Sequence, residues 1–512
     1  MNIEKITTLG QLKKSGYVSK SIKDEVRDNL IKSIQDKENP FTGIMGYEDT
    51  VIPDTERAIL SRHNILFLGL RGQAKTRMAR QMVDLLDEYI PVVTGSEVND
   101  DPLKPFSKYA INTIAELGDK TPIQWLHRSE RYGEKLATPD VSVADLIGDI
   151  DPIKAANLKL SFSDEKVIHY GIIPRSNRGI FVINELPDLQ ARIQVSLFNI
   201  LQEGDIQIRG FKLRMPLDIL FVFTANPEDY TNRGSIVTPL KDRIQSQILT
   251  HYPKSIETSL LITEQEAKIN DAQKKLVNIS DLIKRLVEQV AFEARSNEYV
   301  DKKSGVSARL TIAAFENAVS SAERRAIMHK EKNTQVWISD LTGIIPSITG
   351  KIELVYEGEQ EGPYEVALNL LNKSIRNQFV QYFPNPELTK KRKTNKKSAE
   401  EPVAENPYKL ITAWFDGGNQ LDLLLDMKDA DKIASLYKVD GLYGVVKKHY
   451  PHANEQEAAL LMEFVLHGLA AFSMINKKMI DGKIEFKDLM GSIMNLGNMG
   501  FGEDDFNESD YQ

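Results

Sequence analysis

Asn64-Ile-Leu-Phe-Leu-Gly-Leu-Arg-Gly-Gln-Ala-Lys-Thr76 joins an apolar run to a glycine-containing turn that ends in Lys75 and Thr76. Gly69 and Gly72 allow the backbone to curl so that successive N–H groups point toward one anion. The Lys75 ammonium can then bridge the terminal phosphates of a nucleotide, and the Thr76 hydroxyl can bind Mg²⁺ at the start of a helix. The segment therefore predicts a phosphate-binding loop, made of Gly69, Gly72, Gln73, Ala74, Lys75 and Thr76.

One position of this loop departs from the strict pattern. A glycine is expected directly before the lysine, and this chain has Ala74 there. Turns with two glycines also precede helices in proteins that bind no phosphate. The loop prediction therefore needs support from the rest of the chain.

Composition restricts the class of protein. At 512 residues and 41% hydrophobic residues, the chain is long and apolar enough for two to four domains. It has no cysteine, which excludes disulfides, thiolate zinc sites and cysteine nucleophiles and fits a reducing cytoplasm. The net charge of −8 gives no general attraction for nucleic acid, and the eight histidines show no paired metal-ligand spacing. With neither a signal-peptide core nor a membrane span in the sequence, we expect a cytoplasmic protein.

The first half of the chain alternates apolar runs with helical patterns. Gly179–Ile183 and Leu217–Thr224 are the clearest buried strands, and Pro91–Thr94 and Ser246–Thr250 are the predicted second and last strands. The polar segment Asn99–Asp149 reads as an irregular insertion. Strands that alternate with helices predict a parallel α/β sheet whose ligand lies at the carboxyl ends of the strands.

Changes in pattern divide the chain into seven predicted segments. They are a peripheral N-terminal helical arm (1–42), an α/β nucleotide-binding core (43–254), a helical lid (255–330), a connecting strand and helix (331–388), a charged linker (389–407), a C-terminal helical domain (408–498) and an acidic tail (499–512). The basic run in the linker is interpreted as solvated chain rather than as a nucleic-acid or targeting patch.

Polar residues follow two of the predicted strands. Glu185 stands where a general base could activate a water, but Asn184 replaces the aspartate expected before it. An amide can accept a hydrogen bond from a metal-bound water, yet it supplies no negative charge. Asn226 follows the next buried strand, where its amide could contact the terminal phosphate or the attacking water. The simpler alternatives are that Glu185 caps a helix and that Asn-Pro is an ordinary turn.

Two arginines complete the set of candidate residues. Arg243 follows a loop that contains Gly234 and Pro239, and it could reach the nucleotide of a neighbouring subunit. Arg309 opens a helix of the predicted lid and could reach the phosphates when the lid closes. A surface ion pair is the ordinary alternative for Arg243.

The order and spacing of these pieces resemble an AAA+ ATPase over Gly43 to Arg325, and within that superfamily the magnesium chelatase I subunit and its MoxR-like relatives. The matching segments are Thr94-Gly-Ser-Glu-Val-Asn-Asp-Asp-Pro102, Arg178-Gly-Ile-Phe-Val-Ile-Asn-Glu185, Ala225-Asn-Pro-Glu228 and Leu240-Lys-Asp-Arg243. That group commonly has alanine before the lysine, which accounts for Ala74. Two insertions also resemble this clade, one around Lys154–Arg175 and one hairpin at Asp205–Pro216.

The resemblance implies a P-loop AAA+ fold with a helical lid, and it implies roles for single residues. Lys75 and Thr76 would bind nucleotide and Mg²⁺, with Asn184 beside the metal. Glu185 would be catalytic, Asn226 sensor 1, Arg243 the arginine finger and Arg309 sensor 2. Relatives form hexameric rings that act on a partner with a von Willebrand-type A domain, so the implied function is an ATP-driven chaperone-like motor that remodels a partner or helps to insert a metal.

Two alternatives stay open at this point. Asn184 motivates a nucleotide-gated scaffold that binds ATP and hardly hydrolyses it. Arg209, Lys212 and Arg214 in the predicted hairpin motivate a nucleic-acid remodelling ATPase, although three basic residues on a loop are usually only solvated. The net charge argues against nucleic acid as a partner.

Overall fold

The structure is a computed structural model of the full chain that describes residues 3–161, 164–206, 208, 215–227, 235–391, 406–480 and 482–489. Its contacts divide the chain into two compact units, Met1–Pro253 and Lys254–Gln512. Each unit has its own hydrophobic core. The two are therefore treated separately.

The first unit alternates strands and helices along the chain. Its strands are β1 (Ile65–Leu68), β2 (Tyr89–Val93), β3 (Ile123–His127), β4 (Tyr132–Leu136), β5 (Gly148–Ile150), β6 (Ile168–Tyr170), β7 (Gly179–Asn184), β8 (Asp205–Ile206), β9 (Met215–Pro216), β10 (Ile219–Ala225) and β11 (Ser246–Leu249). Its helices are α1 (Leu9–Lys14), α2 (Ile22–Asp36), α3 (Val51–Leu60), α4 (Lys75–Gln81), α5 (Lys108–Leu117), α6 (Val143–Leu146), α7 (Pro152–Leu158), α8 (Ile172–Arg175), α9 (Ala191–Ser196), α10 (Phe198–Glu203) and α11 (Thr238–Arg243).

Five of these strands form one parallel sheet in the order β11-β1-β10-β7-β4. Side chains along β1, β7 and β10 alternate between two buried clusters, one on each face of the sheet. Both faces are covered by helices, which explains why these strands read as continuous apolar runs. Because all five strands are parallel, their carboxyl ends lie at one edge, where residues 69, 185 and 226 follow. The predicted fold class is confirmed.

The second strand of this sheet is not the one predicted. The segment around Pro91–Thr94 does form a strand, but β2 pairs antiparallel with β3 outside the five-stranded sheet. The sheet strand is β4, inside the segment interpreted as an irregular insertion, and it occupies an edge with Glu134 opposite Val182. An edge strand can be polar because only one of its sides is paired. That polarity concealed it in the sequence.

The N-terminal arm is also not peripheral as predicted. Ile22, Val26 and Leu30 of α2 are buried in the same cluster as the sheet residues. Glu25 forms a bidentate salt bridge with Arg131, with two N–O distances of 2.7 Å. The side chain of Glu25 is 5% exposed and that of Arg131 is 1% exposed. The helix is therefore an integral layer of the first unit.

Both predicted insertions correspond to described pairings. β5 and β6 pair antiparallel around α7, within the segment near Lys154–Arg175. The ends of the Asp205–Pro216 segment also pair antiparallel, as β8 with β9. Gly234, Glu228 and the three basic hairpin residues Arg209, Lys212 and Arg214 lie outside the described residues.

The second unit is mainly helical. Its helices are α12 (Ile256–Glu266), α13 (Asp271–Leu276), α14 (Asp281–Ser296), α15 (Arg309–His329), α16 (Ile345–Thr349), α17 (Tyr356–Glu361), α18 (Pro363–Tyr382), α19 (Pro386–Lys391), α20 (Lys409–Asp416), α21 (Asp429–Leu436), α22 (Leu442–His449) and α23 (Glu455–Ala471). Its strands are β12 (Val277–Asn278), β13 (Thr334–Gln335), β14 (Leu421–Leu424), β15 (Asn476–Ile480) and β16 (Lys483–Lys487).

One continuous core runs through this unit, from Val277 to Phe486. It includes residues of the predicted lid, of the connecting segment and of the C-terminal region. The C-terminal region also holds an antiparallel sheet in the order β14-β16-β15, which the sequence interpretation as purely helical did not include. The boundaries predicted inside this unit stay predictions, and the charged linker from 392 to 405 and the acidic tail lie outside the described residues.

None of the helices in the described ranges has the length and apolarity that a bilayer crossing needs.

Candidate nucleotide site

The candidate site begins where β1 turns into α4. Gly72 and Ala74 both have positive φ angles, 71° and 55°. This backbone conformation is easy for glycine and strained for alanine. The space at Gly69 is also restricted, since a Cβ atom there would collide with the side chains of Thr250 and Gln73. The loop is therefore held in a compressed shape between β1 and the residues that follow β11.

Hydrogen bonds fix the direction of the peptide groups in the loop. The Tyr252 hydroxyl donates to the carbonyl of Arg71, and the Tyr47 hydroxyl donates to the carbonyl of Gln73, each at 2.9 Å. In a planar trans peptide the next N–H points away from the carbonyl. The N–H groups of Gly72 and Ala74 are therefore directed away from these tyrosines, as an anion cradle requires.

Lys75 is buried at the centre of this loop, with 7% of its surface exposed. Its ammonium group donates to the carbonyl oxygens of Gly69 and Leu70, the second at 3.0 Å, and to Oδ1 of Asn226 at 2.6 Å. Burial of a lysine is tolerated only where its charge meets oxygen acceptors. These contacts hold the positive charge between the loop and the end of β10.

Asn226 connects Lys75 to Glu185. While its Oδ1 atom accepts from Lys75, its Nδ2 atom donates to Oε2 of Glu185 at 2.6 Å. The backbone N–H of Glu185 donates to the Thr224 hydroxyl at 3.2 Å, and Glu185 itself has a left-handed backbone with φ of 55°. Strained backbone of this kind is frequent at functional sites. The structure thus brings the predicted phosphate residue, the predicted sensor and the predicted base into one chain of contacts.

Asn184 forms a second chain of contacts beside the first. Its Oδ1 atom accepts from the hydroxyls of Thr76 at 3.2 Å and Thr224 at 3.0 Å. Its Nδ2 atom donates to Oε1 of Glu134 at 2.7 Å. The neutral amide predicted beside the metal is therefore hydrogen-bonded to a carboxylate from the neighbouring strand.

Glu134 is held in the ionised form by its own partners. Arg80 donates to both carboxylate oxygens, at 2.9 and 3.0 Å, and the Tyr132 hydroxyl donates at 2.8 Å. Burial acts to raise the pKa of Glu134, but the hydrogen bonds from Arg80 and Tyr132 outweigh it and the pKa is lowered. A negative charge is thus present one side chain away from Asn184.

The oxygen donors at this position fit Mg²⁺. The Thr76 hydroxyl and the Asn184 amide oxygen are hard, neutral ligands, which suit an ion that retains several waters and binds mainly to substrate phosphates. Within the ranges that the structure describes, no group of three or more His, Cys, Asp or Glu residues could enclose a metal by itself. Mg²⁺ would therefore be held by Thr76 and Asn184 together with the nucleotide.

The two predicted arginines are described by their own surroundings. Arg243, at the end of α11, donates to Gln202 at 3.0 and 2.7 Å and to the Pro239 carbonyl at 2.7 Å, with its guanidinium 5.1 Å from the Phe198 ring centre. Arg309 is exposed at the first turn of α15 in the second unit. The roles of both stay predictions.

The sequence interpretation did not identify several residues around the site. Glu134, Tyr132, Arg80, Thr224 and Thr250 all contact predicted site residues or their partners. The sequence Tyr-Gly-Glu-Lys-Leu at 132–136 lacks the apolar–polar alternation of a half-buried strand, so no local pattern identifies Glu134.

Comparison with known protein families and sequences gives consistent matches. Residues 157–248 match the Sigma-54 interaction domain family. The magnesium-chelatase 38 kDa subunit of Cereibacter sphaeroides is 26% identical over 236 residues, which is 44% of this chain and 64% of that subunit. The corresponding subunit of Rhodobacter capsulatus is 26% identical over 223 residues, 43% of this chain and 58% of that subunit. The chain thus matches less than two thirds of the length of either relative.

Two solved structures are among the matches by fold. A structure of the complex between subunits BchI and BchD of magnesium chelatase covers 63% of this chain and 98% of the matched chain, at 20% identity and a TM-score of 0.33. NtrX from Brucella abortus in complex with ATP covers 57% of this chain and 52% of the matched chain, at 13% identity and a TM-score of 0.31.

Proposed function

We propose that the chain is an AAA+ ATPase of the magnesium chelatase I group that binds ATP at Gly69–Thr76 and hydrolyses it with Glu185 as the general base. The observation that carries this proposal is the bridge from Lys75 through Asn226 to Glu185. Because the Asn226 amide contacts both Lys75 and Glu185, it fixes the distance between their side chains. A terminal phosphate beside Lys75 and an attacking water beside Glu185 would need such a fixed distance.

Each residue of the bridge has a defined task in this proposal. Lys75 exchanges its carbonyl partners for phosphate oxygens and offsets the charge that develops there. Glu185 accepts a proton from the attacking water, and Asn226 holds both groups in register. Mg²⁺, bound by Thr76 and Asn184, would neutralise charge on the transferred phosphate.

At the level of assembly, we propose a homo-oligomeric ring, hexameric as in the resemblance described above, with nucleotide between subunits. In the structure, Arg243 is held on the surface of its own subunit by Gln202 and Pro239. From there it would stabilise the transition state in a neighbour, and Arg309 would contact the phosphates from its own lid. The ring would remodel a partner protein that has a von Willebrand-type A domain, or would help to insert a metal into its partner. It would do so in the cytoplasm.

A nucleotide-gated scaffold is the second candidate, and the neutral side chain of Asn184 favours it. Phosphate release separates the two functions when wild type is compared with Glu185→Gln. The motor predicts that this variant binds ATP normally and turns over at least about 100-fold more slowly, because proton transfer to a base is lost. Glu116→Gln, a change at an exposed glutamate of α5, is the matched control and should leave turnover unchanged.

Equal and slow phosphate release from wild type and Glu185→Gln would contradict the motor and leave the scaffold. A loss of ATP binding in Glu185→Gln would instead show that the side chain supports the site rather than the reaction.

A further inference from the structure

Asn184, which stands where a strand-end aspartate is expected, contacts a carboxylate from the adjacent strand. Glu134 lies on the edge strand β4, and its Oε1 atom accepts from Asn184 Nδ2 at 2.7 Å. A charged hydrogen-bond partner of Asn184 thus comes from a different part of the sequence. This contact is the starting point of the inference, which rests on the proposed function.

The partners of Glu134 determine which way the Asn184 amide faces. Arg80 and Tyr132 both donate to the Glu134 carboxylate, so its oxygens are acceptors. The group that Asn184 turns toward Glu134 must therefore be its NH₂. The hydroxyls of Thr76 and Thr224 could donate or accept, so they impose no direction of their own.

Because its NH₂ faces Glu134, the Asn184 amide presents its oxygen, Oδ1, on the opposite side. Asn184 Oδ1 lies 3.2 Å from the hydroxyl of Thr76, the other residue that would hold Mg²⁺. We propose that Glu134 is a positioning residue of the nucleotide site: it keeps the Asn184 oxygen turned toward the Mg²⁺ side and polarises it. The pair of Asn184 and Glu134 does together what a single strand-end aspartate would do, and second-layer partners of this kind tune metal affinity.

Glu134→Gln is the informative substitution because it removes the charge and one acceptor but keeps the size of the side chain. Each carboxylate oxygen accepts two hydrogen bonds: Oε2 from Arg80 Nε and the Tyr132 hydroxyl, at 2.9 and 2.8 Å, and Oε1 from Arg80 Nη2 and Asn184 Nδ2, at 3.0 and 2.7 Å. When the glutamine oxygen takes the Oε2 position, its NH₂ faces the NH₂ of Asn184, and Asn184 turns over to avoid two donors in contact. When the glutamine oxygen takes the Oε1 position, Asn184 keeps its orientation but loses the charge that polarises its oxygen.

The measurement is calorimetric binding of the non-hydrolysable β,γ-methylene analogue of ATP, at a series of Mg²⁺ concentrations and in EDTA. Mg²⁺ increases the affinity for the analogue, and the measured quantity is the Mg²⁺ concentration that gives half of this increase. We expect Glu134→Gln to raise that concentration about tenfold. Binding in EDTA stays at the wild-type level, since Lys75 and the loop are unchanged. Glu130→Gln, at an exposed glutamate four residues earlier, is the matched control and changes neither value.

A second substitution tests whether Glu134 acts through Asn184. In the double variant Glu134→Gln with Asn184→Asp, the glutamine NH₂ donates to one aspartate oxygen and leaves the other facing Thr76. We expect its Mg²⁺ requirement to return to within about twofold of wild type, or lower. Glu134→Ala, which also removes the acceptor, should raise the requirement as Glu134→Gln does, and thermal unfolding of each variant verifies folding.

Three outcomes overturn the inference. A normal Mg²⁺ requirement in both Glu134→Gln and Glu134→Ala removes Glu134 from the site. A double variant that is no better than Glu134→Gln shows that Glu134 does not act through Asn184. Both of these leave the proposed function intact, whereas unchanged analogue binding in Lys75→Ala overturns the proposed function and this inference with it.

Discussion

Two residues of the nucleotide site have a left-handed, strained backbone. Ala74 and Glu185 both have φ angles of 55°, and each directly precedes or follows a residue that the site uses. A left-handed conformation costs an L-residue about 1–2 kcal/mol. Glu185 must keep its side chain, whereas the side chain of Ala74 is a single methyl group packed against the core. The strain at Ala74 can therefore be removed without loss of a functional group.

Ala74→Gly should stabilise the first unit by about 1 kcal/mol, because glycine adopts the left-handed region without steric cost. Ala79→Gly, inside the same helix α4, should destabilise it by about 1 kcal/mol or more and serves as the control. Urea unfolding of both variants measures the two changes. A loss of stability in Ala74→Gly would mean that the backbone at Ala74 is not strained in the folded protein.

Residues contiguous with buried strands could be anticipated from the sequence, and residues of edge strands could not. Lys75, Asn184 and Asn226 each follow an apolar run, and parallel pairing brings such ends together. Glu134 belongs to the polar strand Tyr132–Leu136, whose composition resembles a loop. Its contact with Asn184 depends on strand order, which is a property of the whole sheet rather than of any short segment.

At the level of elements, helix α2 is buried although its sequence is rich in charged residues. Its charged residues suggested a peripheral arm, but Glu25 is paired with Arg131 and is 4% exposed. The backbone N–H of Ile22 also donates to Asp218, directly before β10, at 2.7 Å. Burial raises the pKa of Asp218. The pairing of two distant charges is a tertiary effect that no local pattern indicates.

Glu25→Gln should destabilise the first unit by about 3–5 kcal/mol, since it leaves the Arg131 guanidinium buried without a charge partner. The joint replacement Glu25→Leu with Arg131→Met should cost less than Glu25→Gln alone, because no charge is then left buried. Thermal or urea unfolding measures both. Asp28→Asn, in the exposed pair with Lys20, is the control and should cost less than about 1 kcal/mol.

A peripheral arm would give the opposite pattern. If Glu25→Gln cost no more than Asp28→Asn, the buried salt bridge would contribute little and α2 would not be a layer of the core.

For the whole molecule, the proposed role of Arg243 at a neighbouring nucleotide requires more than one copy of the chain. The contacts of Arg243 are made within its own subunit, with Gln202, Pro239 and Phe198. A role at the nucleotide would therefore be played across an interface. An assembly of that kind makes turnover depend on protein concentration, whereas ATP binding to a single subunit does not.

Arg243→Ala should leave ATP affinity within about twofold of wild type and reduce turnover per subunit by about 1,000-fold, the scale reported for a lost arginine finger. Phosphate release is measured over a range of protein concentrations, with light scattering to follow assembly. Lys241→Ala, on the same helix, is the control. Full turnover in Arg243→Ala would mean that a different arginine serves the neighbouring site.

Binding of ATP at the loop after β1 is tested most directly by calorimetric titration in the presence of Mg²⁺. ATP is titrated into wild type, Lys75→Ala and the exposed control Lys120→Ala. We expect wild type and Lys120→Ala to bind one ATP per chain with equal affinity. Lys75→Ala should bind at least about 100-fold more weakly, because it loses charge-assisted contacts to the phosphates. Equal affinity in all three proteins would contradict the assignment of the nucleotide site to the loop after β1.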